Sequence, residues 1–510
     1  MRQLSEQDAA FLASDNAHAN ANVSLLHIYD QSTAPQGLVR FKTILAHIES
    51  RLDSSPLYRR KLMQVPFGVD RPYWVDDEHF DLEYHVRHIA LPKPGDWRQF
   101  CIQVSRIHAR PLDLNRPLWE IYVIEGLDSF LDLPPGSFAL LTKTHHAALD
   151  VEHDDELTAR LHDSTPQGAG AAAPPAPWFA DSAPSMLPLL AKGMVRNVLK
   201  PARVIGPLAR RLRSLAPGSL ALAGEALLAE PDMPLVRFNS VVSPHRVFDT
   251  RRFGLDEFKR IRSLVPGASV HDAVLAVCGG ALRRYLGGHD ELPAQSLMAL
   301  APLSVREPAA AGRAAAPGLQ WLRVALGTEL DDPVQRLRRI HAQTSGARGG
   351  AVKAREQVRD QRGGKGAGAM LGRTAKLVAR ALAGHRAPLA ACSITNVPGA
   401  HGPLYLCGAR MTYTSAMLPV HDGMGLAIAV TSYDGRLIIS PTSCRELMPD
   451  PEAFAQALRD SFQELLARAD RAAGAAGAAG AAASARRAKP RAPRAARVPG
   501  SAPSGSPARG

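Results

Sequence analysis

The chain has no run of about eighteen uninterrupted apolar residues, so no membrane-spanning helix is expected from its sequence. The opening MRQLSEQDAAFLASD lacks the apolar stretch of a secretory leader. The expectation is a protein that is soluble or rests on a membrane surface. Five cysteines (Cys101, Cys278, Cys392, Cys407, Cys444) lie far apart with no CxxC pair, which excludes a disulfide framework and a zinc ribbon and fits a reducing cytosol. HExxH is missing. The glycine-rich GGKGAGAMLG (363–372) has neither the GK[ST] of a phosphate loop nor dinucleotide spacing, and reads as a flexible loop. Aromatics are scarce, at 5%.

Five hundred and ten residues exceed one compact core, so two or more domains are expected, and alternating strand and helix patterns favour an α/β class. The net charge of +13 is unevenly spread. Residues 471–510 carry eight Lys/Arg and no acid, leaving about +5 for the rest. That excess suits an anionic membrane surface, an acyl-CoA phosphate or nucleic acid alike.

The most informative stretch is FALLTKTHHAALD (138–150). A buried strand ends in His145 and His146, with Asp150 four residues after the second, and a helical pattern follows. Imidazole at a strand end suits an α/β site, because it exchanges a proton with a hydroxyl near neutral pH. Side chains alternate along a strand, so one ring of the pair is expected to face a cleft and its neighbour to point away, leaving a single base. Asp150 would hold the turn or orient the ring. A metal reading draws on His145, His146, Asp150, His153, Asp154 and His162, but adjacent histidines rarely converge on one ion and no metal is expected.

Residues 1–165 read as one unit, with a strand at 22–30, helices at 38–52 and 96–112, a polar strand region at 73–91 and a strand at 117–127. Residues 166–235 hold a Pro/Ala-rich linker and SMLPLLAKGMVRNVLKPARVIGPLARRLRSL (185–215), which has seven Lys/Arg and no acid. The latter is either an amphipathic surface for anionic lipid or a crossover helix between domains. Residues 236–470 read as a second α/β unit, including a long apolar helix at 269–286 and a basic stretch, 346–386, that reads as a solvated face. The low-complexity tail 471–510 is expected to be disordered. Taken singly, PLWE (117–120) fits a strand start, SVHDAVLA (269–276) a helix N-terminus and SITNVPG (393–399) a turn.

In chain order, WVDDEHFDLEYHVRHIALPKPG, PLWEIYVIEGL, HHAALD, HDAVLAVCGGALRRYL, APLSVR and TNVPG resemble the bacterial wax ester synthase/diacylglycerol acyltransferase family over about residues 3–468. The resemblance implies two chloramphenicol-acetyltransferase-like domains with an active-site tunnel between them. It implies acyl transfer from acyl-CoA, with no metal or redox cofactor. The second histidine of HHxxxDG, here His146, would deprotonate the acceptor alcohol, beside His145 and a chiefly structural Asp150. Pro117, Leu118 and Trp119 would shape the acyl pocket. His271 and Asp272 take the place of an Asn-Asp pair and, with Asn396, complete the substrate-binding set.

Three positions depart from the family pattern. Val151 stands where the family has glycine, His271 where it has asparagine, and Gly318-Leu319 where it has Gly-Asn. Diacylglycerol is the expected acceptor and a long-chain alcohol the second choice, at the inner face of the plasma membrane or on lipid droplets; nucleic acid is not expected. The alternatives are a catalytically weakened paralogue that binds lipid or coats droplets, and an acyltransferase with a non-lipid acceptor.

Overall fold

A computed structural model describes residues 2–66, 70–127, 129–130, 133–149, 160–167, 178–181, 233–306, 317–349, 388, 390–400 and 402–487. Its centre is β2 (Asn22–Asp30), NVSLLHIYD, buried along almost its whole length. Alternation lets this strand serve three cores at once. Leu26 and Ile28 face one cluster, Tyr29 a second, and Val23 and Leu25 a third that belongs mainly to the other half of the chain.

β2 pairs antiparallel with β7 (Phe138–His145), which pairs with β6 (Trp119–Glu125), which pairs parallel with β5 (Val86–Ala90). The other edge of β2 takes β14 (Ala409–Met417), with β13 (Tyr405–Leu406) beyond it, giving a six-stranded sheet. Strands from the expected second unit, 236–470, thus complete the sheet of the first, 1–165. After α1 (Glu6–Ser14), α2 (Phe41–Arg51) and the short α3 (Leu82–His85), the amphipathic helix α4 (Trp97–Ala109) covers this sheet with Phe100, Val104 and Ile107. A three-stranded sheet of β1 (Arg2–Gln3), β4 (Tyr73–Asp76) and β3 (Arg60–Met63) lies apart.

The second sheet runs β11 (Pro317–Ala325), β10 (Met298–Arg306), β12 (Cys392–Pro398), β15 (Ala427–Tyr433), β16 (Arg436–Cys444) and β8 (Arg246–Phe248), with β9 (Arg251–Gly254) also on β16. TNVPG is therefore the end of a strand rather than a turn, in parallel pairing with β15. A Cβ at Gly399 would sit 2.0 Å from the Ser432 carbonyl oxygen, so only glycine fits. Leu319 is an ordinary strand residue in backbone terms, opposite Ser304.

Against this sheet pack four helices, α5 (Leu255–Arg262), α6 (Val270–Gly287), α7 (Pro333–Gly349) and α8 (Pro451–Arg487). α6 is buried nearly all round, and its Gly279-Gly280 pair lets Leu326 and Ser461 approach: a Cβ at Gly280 would lie 2.1 Å from Ser461 Oγ. α8 departs from the expected disordered tail, because 471–487 continue it as helix. Docking of Phe454, Leu458, Phe462 and Leu465 removes the nucleation cost, and an alanine-rich segment then propagates at little expense. Residues 488–510, the stretch 185–215 and most of 346–386 lie outside the described residues.

The halves are stitched together by more than β14. Trp97 Nε1 donates to Asp249 Oδ1 at 2.8 Å, and α4 packs on β8. Five thiols are free, four of them buried, and no described helix is long and apolar enough to cross a membrane.

Candidate active site

Strand β7 stops at His145, and His146–Ala148 form a single 3-10 turn. This turn sits on the seam. Ala147 and Ala148 pack with Leu118 and Trp74 of the first half, and Leu149 packs against the core of the second sheet. The strand end is fixed by backbone bonds: His145 N donates to Leu118 O and His146 N to Ala21 O, both at 2.9 Å.

The two rings have different surroundings. His145 is 1% exposed, and both its nitrogens are engaged. Ala147 N–H donates to Nδ1 at 3.1 Å, so Nδ1 carries no proton; the ring proton belongs on Nε2, which lies 3.0 Å from Asp15 Oδ2. His146 is fully buried, with the Phe11 ring stacked on it at 4.1 Å and 20°. Simple alternation does not hold at this point. Because His146 opens a turn instead of extending the strand, both rings meet residues one helical turn apart, Phe11 within helix α1 (Glu6–Ser14) and Asp15 at its C-terminal cap.

Asp15 and Phe11 are the residues that sequence reasoning missed. The helical pattern of LSEQDAAFL was visible, but nothing in its spacing points to a histidine 130 positions away. The His146 ring is 0% exposed, so it does not line a solvent-open passage of the kind the resemblance implies.

A buried charge pair braces the strand from behind. Lys143, on the same face of β7 as His145, lies 2.8 Å from Glu120 and donates to the Ile107 and Arg110 carbonyls at 3.2 and 3.1 Å. Burial pushes its pKa down, and the Glu120 carboxylate opposes that shift. Glu120 of PLWE thus neutralises a lysine that ties β7 to the end of α4.

The remaining site residues divide between the halves. Leu118 is fully buried beside Ala147, and Pro117 is buried just ahead of it. Trp119 belongs to the adjoining cluster: its Nε1 donates to Tyr58 O at 2.9 Å and its ring stacks on His85 at 4.5 Å. In the second half, His271 is partly buried in the first turn of α6. Asp272 is fully buried and closes a capping box with Ser269. Its Oδ2 accepts from Ser269 N at 2.8 Å and His341 Nδ1 at 3.1 Å, and its Oδ1 from Thr344 Oγ1 at 2.8 Å. Those bonds clamp α6 to α7. Asn396 is a strand position opposite Val430. Asp150, Val151, His153 and Asp154 lie outside the described residues. His162 is drawn away from the histidine pair, with Nε2 2.6 Å from Tyr29 Oη in the first-sheet core.

Residues 4–274 match the family model described as the wax ester synthase/diacylglycerol acyltransferase catalytic domain, and residues 319–466 the corresponding C-terminal domain. A putative diacylglycerol O-acyltransferase of Mycobacterium tuberculosis is 30% identical, covering 92% of this chain and 91% of its own length. Among solved structures, the wax ester synthase/diacylglycerol acyltransferase of Marinobacter aquaeolei superposes with a TM-score of 0.63 at 24% identity, over 92% of this chain and all of that one. The first condensation domain of the calcium-dependent antibiotic synthetase shares the fold, with a TM-score of 0.51 at 14% identity over 92% of this chain and 96% of that domain.

Proposed function

The chain belongs to the wax ester synthase/diacylglycerol acyltransferase family, and from that premise we propose that it moves a long-chain acyl group from acyl-CoA to diacylglycerol, with His146 as the general base. The observation that carries the base assignment is the state of its neighbour. His145 has one nitrogen accepting a backbone N–H and the other facing a carboxylate, so it has no lone pair to offer an alcohol. We therefore assign the proton transfer to His146, the other imidazole of the pair.

The acceptor hydroxyl gives its proton to a His146 ring nitrogen as its oxygen attacks the thioester carbonyl. A C–O bond forms, the tetrahedral adduct expels the CoA thiolate as the C–S bond breaks, and the imidazolium returns the proton to sulfur. No acyl-enzyme is needed if both substrates meet at the base. A buried ring in apolar surroundings keeps water from the thioester, and positioning supplies much of the rate. Leu118, buried against the His146 turn, lines the acyl side of this site, and Pro117 holds it in place. Fatty alcohol serves as a second acceptor. The excess positive charge brings the enzyme to an anionic membrane or droplet surface.

Purified enzyme given palmitoyl-CoA and dioleoylglycerol releases free CoA and forms triacylglycerol. His146→Ala lowers that rate by about 10²–10⁴-fold, the range for losing a general base, while thermal melting shows an intact fold. A folded His146→Ala enzyme that keeps its rate overturns the assignment. Flotation with liposomes without any CoA release by wild type favours a lipid-binding protein instead.

A further inference from the structure

The loop from Asp15 to Asn22 touches the site at two points and the second half of the molecule at two others. Asp15 bridges it: Oδ1 accepts Ala21 N–H at 2.9 Å, and Oδ2 takes the His145 Nε2 proton at 3.0 Å. Ala21 O in turn accepts His146 N–H. One carboxylate and one peptide unit thus bracket both histidines. The loop is stiffened internally, with Asn16 Oδ1 accepting from His18 N and Ala19 N at 2.9 and 2.7 Å. Asn20 and Asn22 tie it to the end of α4 through the Ala109 and Arg110 carbonyls. From the other half, Arg246 donates to His18 O at 2.9 Å, and the His18 ring lies 3.1 Å from Asp422.

Building on His146 as the base, we infer that Asp15 is a positioning residue for the acyl transfer. It fixes the ring tautomer of His145, and through that ring the turn that carries His146. The logic is one of proton inventory. A neutral imidazole has one N–H and one lone pair, and two tautomers that differ little in solution. Ala147 N–H needs the Nδ1 lone pair, so the turn closes only on the Nε2–H tautomer. A carboxylate is a pure acceptor, and placed at Nε2 it selects that tautomer. Without it, a buried Nε2–H loses its partner. If the ring turns to find another, Nδ1 leaves Ala147 N–H; if the proton moves to Nδ1, donor meets donor; either way the turn opens. The consequence falls on His146, whose ring must be held to within a fraction of an ångström of its productive place beside the reacting hydroxyl.

The test compares wild type with Asp15→Ala and Asp15→Asn, using palmitoyl-CoA and dioleoylglycerol, with thermal melting of each. Asp15→Ala lowers kcat by about 10- to 100-fold with both KM values little changed, the signature of a misplaced catalytic group. Asp15→Asn, whose amide oxygen still accepts from Nε2–H while its NH2 takes the place of the acceptor for Ala21 N–H, recovers part of that loss. A kcat that is unchanged in Asp15→Ala, that falls equally in both variants, or that falls only in step with the folded fraction overturns the proposal. Nitrogen-15 spectra of the histidine rings in wild type give an arm that needs no variant. The proton of His145 sits on Nε2, and finding it on Nδ1 overturns the proposal whatever the kinetics. The base assignment is tested separately: an active His146→Ala enzyme removes His146 and leaves the His145 tautomer as measured.

Discussion

Asp272→Ala separates a structural carboxylate from a substrate-binding one. Asp272 is 0% exposed and accepts from Ser269 N, His341 Nδ1 and Thr344 Oγ1. Losing the bond from Ser269 N, the N3 half of the capping box, costs about 1 kcal/mol. The fully buried Thr344 hydroxyl loses its 2.8 Å acceptor and keeps only the His341 carbonyl at 3.2 Å, which costs about 1 kcal/mol more. Loss of the bond to His341, which is partly buried, adds about 1 kcal/mol, for a total of about 3 kcal/mol. Urea unfolding of the full chain reads this as a lower midpoint at an unchanged slope. Asp272→Asn, which keeps one oxygen acceptor, falls between the two. The oxygens are spent within the second half, so kcat per folded molecule drops less than about tenfold, well short of the loss expected from removing a base. A variant that melts like wild type but loses acyl transfer by more than about a hundredfold refutes this reasoning and places the carboxylate against substrate.

Two further outcomes follow from the same region. Phe11→Ala uncovers the His146 ring, and acyl-CoA hydrolysis without acceptor rises at least about threefold relative to transfer, measured as CoA release with and without dioleoylglycerol; an unchanged ratio means that Phe11 does not exclude water. His108, 1% exposed and 2.8 Å from Ser24 Oγ, has its pKa pushed down to about 3 by burial, with the Arg246 and Lys143 charges adding to the shift. A folded-state value below the unfolded one leaves its contribution intact above about pH 6.5 and removes it as pH falls, by about 2 kcal/mol at pH 5. His108→Gln flattens the slope of stability against pH between 7 and 5, and equal slopes in the two proteins refute it.

The strands at 22–30 and 138–145 and the helix at 270–287 were legible because their burial is written into local pattern: near-continuous apolar runs and, for the helix, an acid in the first turn of SVHDAVLA. The histidine pair stood out for the same reason, since a strand that ends in two imidazoles is poor packing without a task. The bounds of the two units were less legible. β14 looked like part of the second unit by its place in the chain, yet it pairs with β2 almost four hundred residues earlier. The helical 471–487 segment was hidden by its composition, which reads as low complexity until a docked helix is there to extend.

What the sequence determined by itself is an α/β class with His-His at a strand end, because periodicity acts over short spans of chain; acyl transfer entered through the family resemblance that the order of motifs carries. Only the tertiary structure decided the different surroundings of the two imidazoles. Those surroundings are set by which His145 nitrogen meets Asp15, by the backbone N–H of Ala147 and by the ring of Phe11 stacked on His146. Asp15 and Phe11 are brought to the histidines by the packing of α1 against the turn, a contact between distant segments that no local pattern encodes.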